Sequence, residues 1–297
     1  MEATSAAEAT SGAAGTVAGS SGWQQALPLP GLRRLFACTP SRLAAFDCPR
    51  RYRFAYVDRP APPKGAPWAH NTVGAITHLA LHRWWSLPLA QRTPAAGGTL
   101  VARNWSTDGF RDGRQALDWR ARTSRWVVDY LVGLDPSIEP VGVERTIAVR
   151  TGTLAFSGRA DRIDDRDGAL VVVDYKTGRE PPTSDDARSS SALALYALAT
   201  ASMFRRDCHR VELHHLPSGV VARAEHSEGS LARHVVRAEA TAADIVTATD
   251  TLAAGAGPDE VFPPRPGPAC SWCDYRRHCP EGQAASPERH PWDGLAP

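Results

Sequence analysis

The stretch Gly158–Gly178, GRADRIDDRDGALVVVDYKTG, decides how the chain is read. The run ending at Asp161 and the run Ala169–Asp174 both read as β-strands. Asp167-Gly168 between them is a hairpin signal, because a tight type I′ turn needs positive φ at both central positions. The hairpin returns the second strand beside the first, so Asp161 and Asp174 come within reach of one ion. Paired carboxylates suit a hard cation such as Mg²⁺ or Mn²⁺, with water and substrate phosphate completing its shell. Asp174 and Lys176 are two residues apart and share one face of a strand. An ammonium beside such an ion can orient an attacking water and offset phosphate charge, as in metal-assisted phosphodiester hydrolysis. A surface hairpin with an ordinary Asp–Lys pair would show the same triplet. Here, however, Val171-Val172-Val173 reads as a buried strand running into the charges. Of 34 basic residues only Lys64 and Lys176 are Lys, and a compact ammonium is not interchangeable with a guanidinium fork.

Outward from this stretch, the chain before Pro140 reads as helical. Ser41–Tyr56, Trp68–Leu87 and Gly113–Leu134 carry helical apolar spacing, with Ser41 as a candidate N-cap. Pro60–Pro67 and Pro88–Leu100 read as loops. From Pro140 the texture is β: VGVERTIAV and TLAFSGRADRID precede ALVVVDYKTG. A helix over 190–204, strands over 209–215 and 219–225 and a helix over 230–252 follow. The order implies an α/β core with helical elaboration, not a βαβ repeat. A single domain over 31–280 is expected: a helical part at 31–135, a core at 140–252 and a cysteine segment at 265–280. Residues 1–30 and 281–297 are expected to be disordered or flexible tails.

Composition bounds the class. The 297 residues are 42% hydrophobic and 22% charged, with a net charge of +2. That excludes a wholly disordered chain, and no apolar run is long enough for a multipass membrane protein. The start of the chain lacks a basic n-region and an apolar h-region, so a cytoplasmic, reducing setting is expected. Six cysteines there read as metal ligands or core residues, not as disulfides.

Cys270, Cys273 and Cys279 form a compact trio of soft ligands for zinc or an iron–sulfur cluster. A fourth ligand is needed, from Cys38, Cys48, Cys208 or His278. Arginines cluster at Arg50, Arg51 and Arg53 among Tyr52, Phe54 and Tyr56, and Arg276 and Arg277 follow Tyr275. Guanidinium groups neutralise phosphates and aromatic rings stack bases, so these five arginines are candidate DNA contacts in a single-strand channel; a solvated helix face is the plainer alternative.

DYKTG after a buried strand, with Gly158-x-x-Asp161-Arg-Ile-Asp upstream, resembles the PD-(D/E)XK nuclease superfamily, specifically its RecB-like branch. Gly74-x-x-x-His78 is similar to the G-x-x-x-H of that branch, and the family pattern alone picks His78 over His70 and His82. ALALYALA resembles the Q-L-x-x-Y helix and puts Tyr196 at the Tyr position. Glu144 stands where relatives carry an acidic residue of uncertain role. The family Gln is Ala192 here; Ser189, Ser190 or Ser191 are candidate replacements. Cys48 with the trio matches the C-x₂-C-x₅-C iron–sulfur motif of such relatives as the AddB helicase–nuclease subunit and the CRISPR-associated adaptation nucleases.

The resemblance implies a restriction-endonuclease-like core: a mixed central sheet flanked by helices. Mg²⁺ or Mn²⁺ would be held by His78, Asp161, Asp174 and the Tyr175 carbonyl, with Lys176 and Tyr196 as further catalytic residues. Cys48, Cys270, Cys273 and Cys279 would hold a [4Fe–4S] cluster, with Zn²⁺ as the alternative. The implied activity is a DNA exonuclease acting on single strands or ends in repair, recombination or defence. A non-catalytic DNA-binding or scaffold subunit is the alternative function. No P-loop occurs, so a separate helicase is a candidate partner.

Overall fold

The computed structural model describes residues 35–295. A mixed six-stranded sheet forms the centre. Its spine is β3 (Leu154–Arg166), with β2 (Gly142–Arg150) antiparallel along one edge. The other edge of β3 is shared: β1 (Phe36–Cys38) pairs in parallel with its first residues, and β4 (Ala169–Lys176) pairs antiparallel with its last. β5 (Arg210–His215) lies parallel to β4, and β6 (Val221–Glu225) closes the sheet antiparallel to β5. Asp167 and Gly168 both have positive φ, at 54° and 89°, so the β3–β4 hairpin turns where the dipeptide predicts.

β4 is buried on both faces, which explains its unbroken apolar run. Leu170 and Val172 point into a core with α7 (Ser191–Phe204) and α8 (Glu228–Ala253). Val171, Val173 and Tyr175 point into a second core, with α3 (Ala69–Trp85) and α5 (Gly113–Val132). The alternation of one strand therefore divides the molecule into its two helical layers.

Local chemistry sets the helix boundaries. Pro40 occupies the first turn of α1 (Pro40–Ala45), so the cap is Thr39, not Ser41; its hydroxyl accepts from the Arg42 N–H at 3.2 Å. Proline is suited to that first turn because its missing N–H would have no partner there. The same device starts α4 (Pro94–Arg103), capped by Thr93, inside the segment expected to be a loop. Its Gly97-Gly98 pair weakens helix propensity and hides it. The short α6 (Ser184–Ser189) is closed by a Thr183–Asp186 capping box. α2 (Pro49–Tyr52) runs into a wide π turn at Arg53–Val57, and α9 (Pro258–Val261) follows α8.

The expected tail at 1–30 lies outside the described residues. The expected tail from residue 281 differs from the structure. α10 (Pro280–Ala285) is helical, Gly282 and Ser286 are buried, and the Ala69 N–H donates to the Pro291 carbonyl at 3.0 Å. Polar composition hid a segment that packs on α3. No described helix is long and apolar enough to cross a membrane.

Gly158 on β3 lets Tyr196 of α7 lie against the sheet: a Cβ there would sit 2.3 Å from Tyr196 Cε1. Gly158→Ala is expected to cost about 1–3 kcal/mol by overpacking, read by urea unfolding. At Gly113, where a Cβ meets nothing within 4 Å, the same change is expected to be neutral or stabilising by up to about 1 kcal/mol.

Candidate active site and cysteine cavity

The β3–β4 ladder ends at Arg162–Val173. Beyond that pair the strands diverge, since β4 stays on β5 as far as Lys176–His215. The residues after Val173 therefore lose their partner on β3. The Tyr175 N–H donates instead to Asp161 Oδ2 at 2.8 Å, which locks the carboxylate into the fork. On the opposite edge Glu144 interrupts β2, between the Val143–Arg162 and Arg145–Ala160 pairs. Its φ is 48°, a left-handed value that costs energy for a non-glycine residue. The register is the same on both sides of Glu144, so it stands opposite Asp161, and its side chain reaches the same fork.

α3 crosses the fork and supplies His78. Its Nδ1 is 3.3 Å from Asp161 Oδ1 and 3.9 Å from Glu144 Oε1, and its Nε2 is 3.2 Å from the Tyr175 carbonyl oxygen. The ligand atoms of His78, Glu144 and Asp161 all lie within 4.8 Å of one another, the only such group of three or more among the described residues. Hard carboxylate oxygens, an imidazole and a nearby carbonyl are a donor set that fits a divalent cation. Two members of the expected ligand set, His78 and Asp161, are thus joined by Glu144, while Tyr175 offers its carbonyl beside them. The Asp174 carboxylate is turned to Lys176, with Oδ2 and Nζ 2.5 Å apart. Lys176 is half-exposed, and Tyr196 lies against β3 on the same face as Asp174.

Electrostatics describe a site short of positive charge. Burial, followed by the Asp161 charge, pushes the Glu144 carboxyl up, against the pull of Arg159 and His78. Burial raises Asp174 too, and Lys176 only partly offsets it. Burial, with Asp174 and Asp161, raises the Tyr196 phenol. For His78, burial pulls the value down, but Asp161, Asp174 and Glu144 together overcome it and hold the ring above its ordinary value. The same three carboxylates that raise the imidazole would also attract a cation.

One residue of the groove escaped the sequence reading: Arg159 is 2.7 Å from Glu144 and mostly exposed, and strand alternation from Asp161 could have found it. His82, weighed against His78 in the sequence, lines the groove one turn beyond it. Behind the fork, Arg162 donates to the Tyr130 and Tyr175 hydroxyls at 3.0 and 3.3 Å. Tyr130 bonds His214, and His214 bonds Glu212 at 2.9 Å. Burial would raise Glu212, but His214 and Arg166 hold it well below the usual carboxylate range. This chain of bonds fixes Tyr175 from its buried side.

The serines near Ala192 are engaged elsewhere. Ser190 caps α7, Ser191 meets His234 Nδ1 at 3.2 Å and Ser189 donates to the Asp186 carbonyl. Ala192 itself lines a groove with Leu43 and Arg237. No serine hydroxyl replaces the amide there.

Cys48, Cys270, Cys273 and Cys279 line a single cavity with Phe54 and Gly282. A Cβ on Gly282 would lie 3.4 Å from Cys279 Sγ and 3.5 Å from Cys270 Sγ, in van der Waals contact with both sulfurs. No three of the sulfurs fall within 4.8 Å of one another. Tetrahedral zinc at about 2.3 Å from each sulfur would hold them roughly 3.8 Å apart. The four thiols are soft donors gathered at one place, apart from the carboxylate site. Cys38 and Cys208 are buried core thiols, and burial pushes Cys208 up to about 12.

The five arginines expected on DNA are used internally. Arg50 is buried and pairs with Asp259 and Glu281 at 3.3 and 2.5 Å. Arg53 is buried and pairs with Asp58 and Asp259. Arg51 donates to the Ala44 and Ala45 carbonyls. Arg276 donates to the Gly282 and Gln283 carbonyls, and Arg277 to those of Pro63 and Lys64. The expected channel is corrected at Arg50 and Arg53, whose buried guanidinium groups are neutralised by carboxylates within the fold; Arg51, Arg276 and Arg277 are held by carbonyls and keep their charge.

A family model described as the PD-(D/E)XK nuclease superfamily matches residues 37–280. Among solved structures the chain is similar to one titled "Crystal structure of SSO0001", at 15% identity and a TM-score of 0.35, covering 86% of this chain and 90% of that one. No curated protein matches.

Two outcomes follow from this geometry. Divalent-ion affinity should rise with pH through the raised His78 value, because below it the ring is protonated and above it the ring is free to ligate. Calorimetry in two buffers of different ionisation enthalpy should register proton release on binding, lost in His78→Gln; equal heats for the wild type would refute the assignment. Arg50→Ala with Arg53→Ala should lower stability by about 1–3 kcal/mol and leave the salt dependence of DNA binding unchanged.

Proposed function

The chain belongs to the PD-(D/E)XK nuclease superfamily, and we propose that it is a Mg²⁺- or Mn²⁺-dependent DNA exonuclease of the RecB-like branch. Single strands or duplex ends are its proposed substrates, in repair, recombination or defence. The observation that carries this reading is the fork: Asp161, Glu144, His78 and the Tyr175 carbonyl converge where β4 leaves β3, with Asp174, paired to Lys176, near enough for its charge to act on His78.

His78, Asp161, Asp174 and the Tyr175 carbonyl are the proposed ligands, with Glu144 added by its distance from His78. A bound divalent ion would polarise the phosphate and lower the pKa of a coordinated water. Lys176, held by Asp174 and half-exposed, orients the attacking water and offsets the charge gathering on phosphorus. One P–O bond forms to the water oxygen and one P–O bond to the leaving sugar oxygen breaks, with no covalent enzyme intermediate. Tyr196 supports the substrate side from α7. Glu144 positions His78 and ties Arg159 into the groove.

The same reading assigns Cys48, Cys270, Cys273 and Cys279 to a [4Fe–4S] cluster. Its support is the cavity that the four thiols share and the C-x₂-C-x₅-C spacing of the trio. The role is structural, since Cys48 and the trio come from opposite ends of the described chain and ligation would tie them together. A reducing, cytoplasmic setting keeps the thiols available, and a separate helicase is the proposed partner.

Cleavage should require Mg²⁺ or Mn²⁺ and fall at least about a thousandfold in Asp174→Asn or Lys176→Ala, with far-UV dichroism unchanged. Wild-type rates in either variant would sink the site assignment. Anaerobically purified protein should contain iron and sulfide in equal amounts, lost in Cys270→Ser; stoichiometric zinc would favour the alternative.

A further inference from the structure

A second groove adjoins the cysteine cavity, sharing Cys273 and Arg276 with it, and is lined further by Trp68, Arg277 and Arg289. Trp272, beside it, stands 5.1 Å from Trp68 with the rings tilted by 59°, so the two indoles are not closed face to face. His70 extends this aromatic cluster, 6.0 Å from Trp68. Trp272 is 36% exposed, unusual for the largest apolar side chain. Arg289 stands over the Trp272 ring at 5.3 Å, placing charge beside stacking surface.

The charges here differ from those around Arg50. Arg276 and Arg277 are held by backbone carbonyls, so their positions are fixed but their charge is not neutralised. None of Arg276, Arg277 and Arg289 forms an ion pair with a carboxylate. Of the two acids in the groove, Asp274 is met by Lys64 at 3.6 Å and by the Trp68 indole N–H at 3.3 Å. Fixed positive charge beside partly exposed indoles, with Arg289 already stacked on one of them, is the chemistry that holds a polyanion with π-stacking bases.

We propose that this groove seats single-stranded DNA, with Trp272 and Trp68 stacking bases and the three arginines taking phosphates. The choice of DNA over another polyanion rests on the nuclease reading above. The groove is joined to the metal group through α3. Trp68 caps that helix and His78 follows ten residues later, a rise of about 15 Å. That is on the order of four stacked nucleotides. A strand seated at Trp68 is thus in register to reach the fork, and strands shorter than the span gain nothing from the groove.

The test uses the full chain without divalent ion and a labelled thymidine oligomer of about 20 nucleotides. Trp272→Ala and Arg289→Ala should each weaken binding roughly five- to a hundredfold, and Arg289→Ala should lower the salt slope by about 0.7. Trp272→Phe keeps an aromatic face and should restore most of the affinity. It also guards against a Trp272→Ala variant that disturbs the adjacent Cys273, while Arg289 is exposed and no carboxylate depends on it. Wild-type affinity and slope in folded Arg289→Ala and Trp272→Ala would overturn the groove, as would a wild type that binds no strand. Wild-type hydrolysis of bis(4-nitrophenyl) phosphate, too small to span the groove, reports separately on the nuclease reading. If that hydrolysis is absent while strand binding is lost in Arg289→Ala, the nuclease reading fails and the groove stands.

Discussion

The single bond from the Tyr175 N–H to the Asp161 carboxylate holds the fork on which the rest of the site depends. A buried N–H that loses its ladder acceptor must find another. Here the replacement is a side chain, so separating β4 from β3 also fixes a carboxylate. β4 can leave because β5 accompanies it to Lys176 and β1 takes over part of the vacated edge of β3. Arg162, Tyr130, His214 and Glu212 then brace Tyr175 from behind. The groove therefore carries several acids around one histidine while its walls are held by the apolar layers on either side of β4.

The second constraint acts at the other end of the molecule. Cys48 begins α2, and the other three cysteines follow residue 268, yet all four face one cavity. Arg50 and Arg53 reach from the same helical turn to Asp259 and Glu281, so ion pairs bridge the segments that the thiols also share. Burying a guanidinium is costly unless it is paired. The arginines that looked like a DNA face are consequently fasteners of this junction. The arginines without a carboxylate partner at 276, 277 and 289 line the adjoining groove beside the indoles, Arg276 reaching the cysteine cavity as well.

Much of the fold was legible where one local rule acts alone. The Asp167-Gly168 turn, the buried alternation of β4 and the long helices α3, α5, α7 and α8 follow from turn chemistry and apolar spacing. α4 was hidden by its glycines, β1 by its three-residue length, and the packing after residue 281 by its polar composition. In each case the deciding partner is distant in sequence: α5 for α4, β3 for β1, α3 for the last segment. Glu144 shows the same limit. Its acidic character was visible, but its left-handed φ and its place opposite Asp161 and beside His78 are set by sheet pairing and by α3, which local sequence does not show.

By itself the sequence determined the chemistry available: a D-x-K triplet after a buried strand, a histidine on a helix and four thiols in two separated groups. Those follow from residue type and local periodicity, which need no partner. The tertiary structure alone decided which groups meet. It brought Glu144 to His78 and Asp161, turned Asp174 toward Lys176, and engaged the serines near Ala192 elsewhere. It also sorted the arginines into neutralised and open sets. The physical reason is that desolvation and pairing are set by neighbours far apart in the chain, and a guanidinium reads the same in sequence whether it faces a carboxylate, a carbonyl or water.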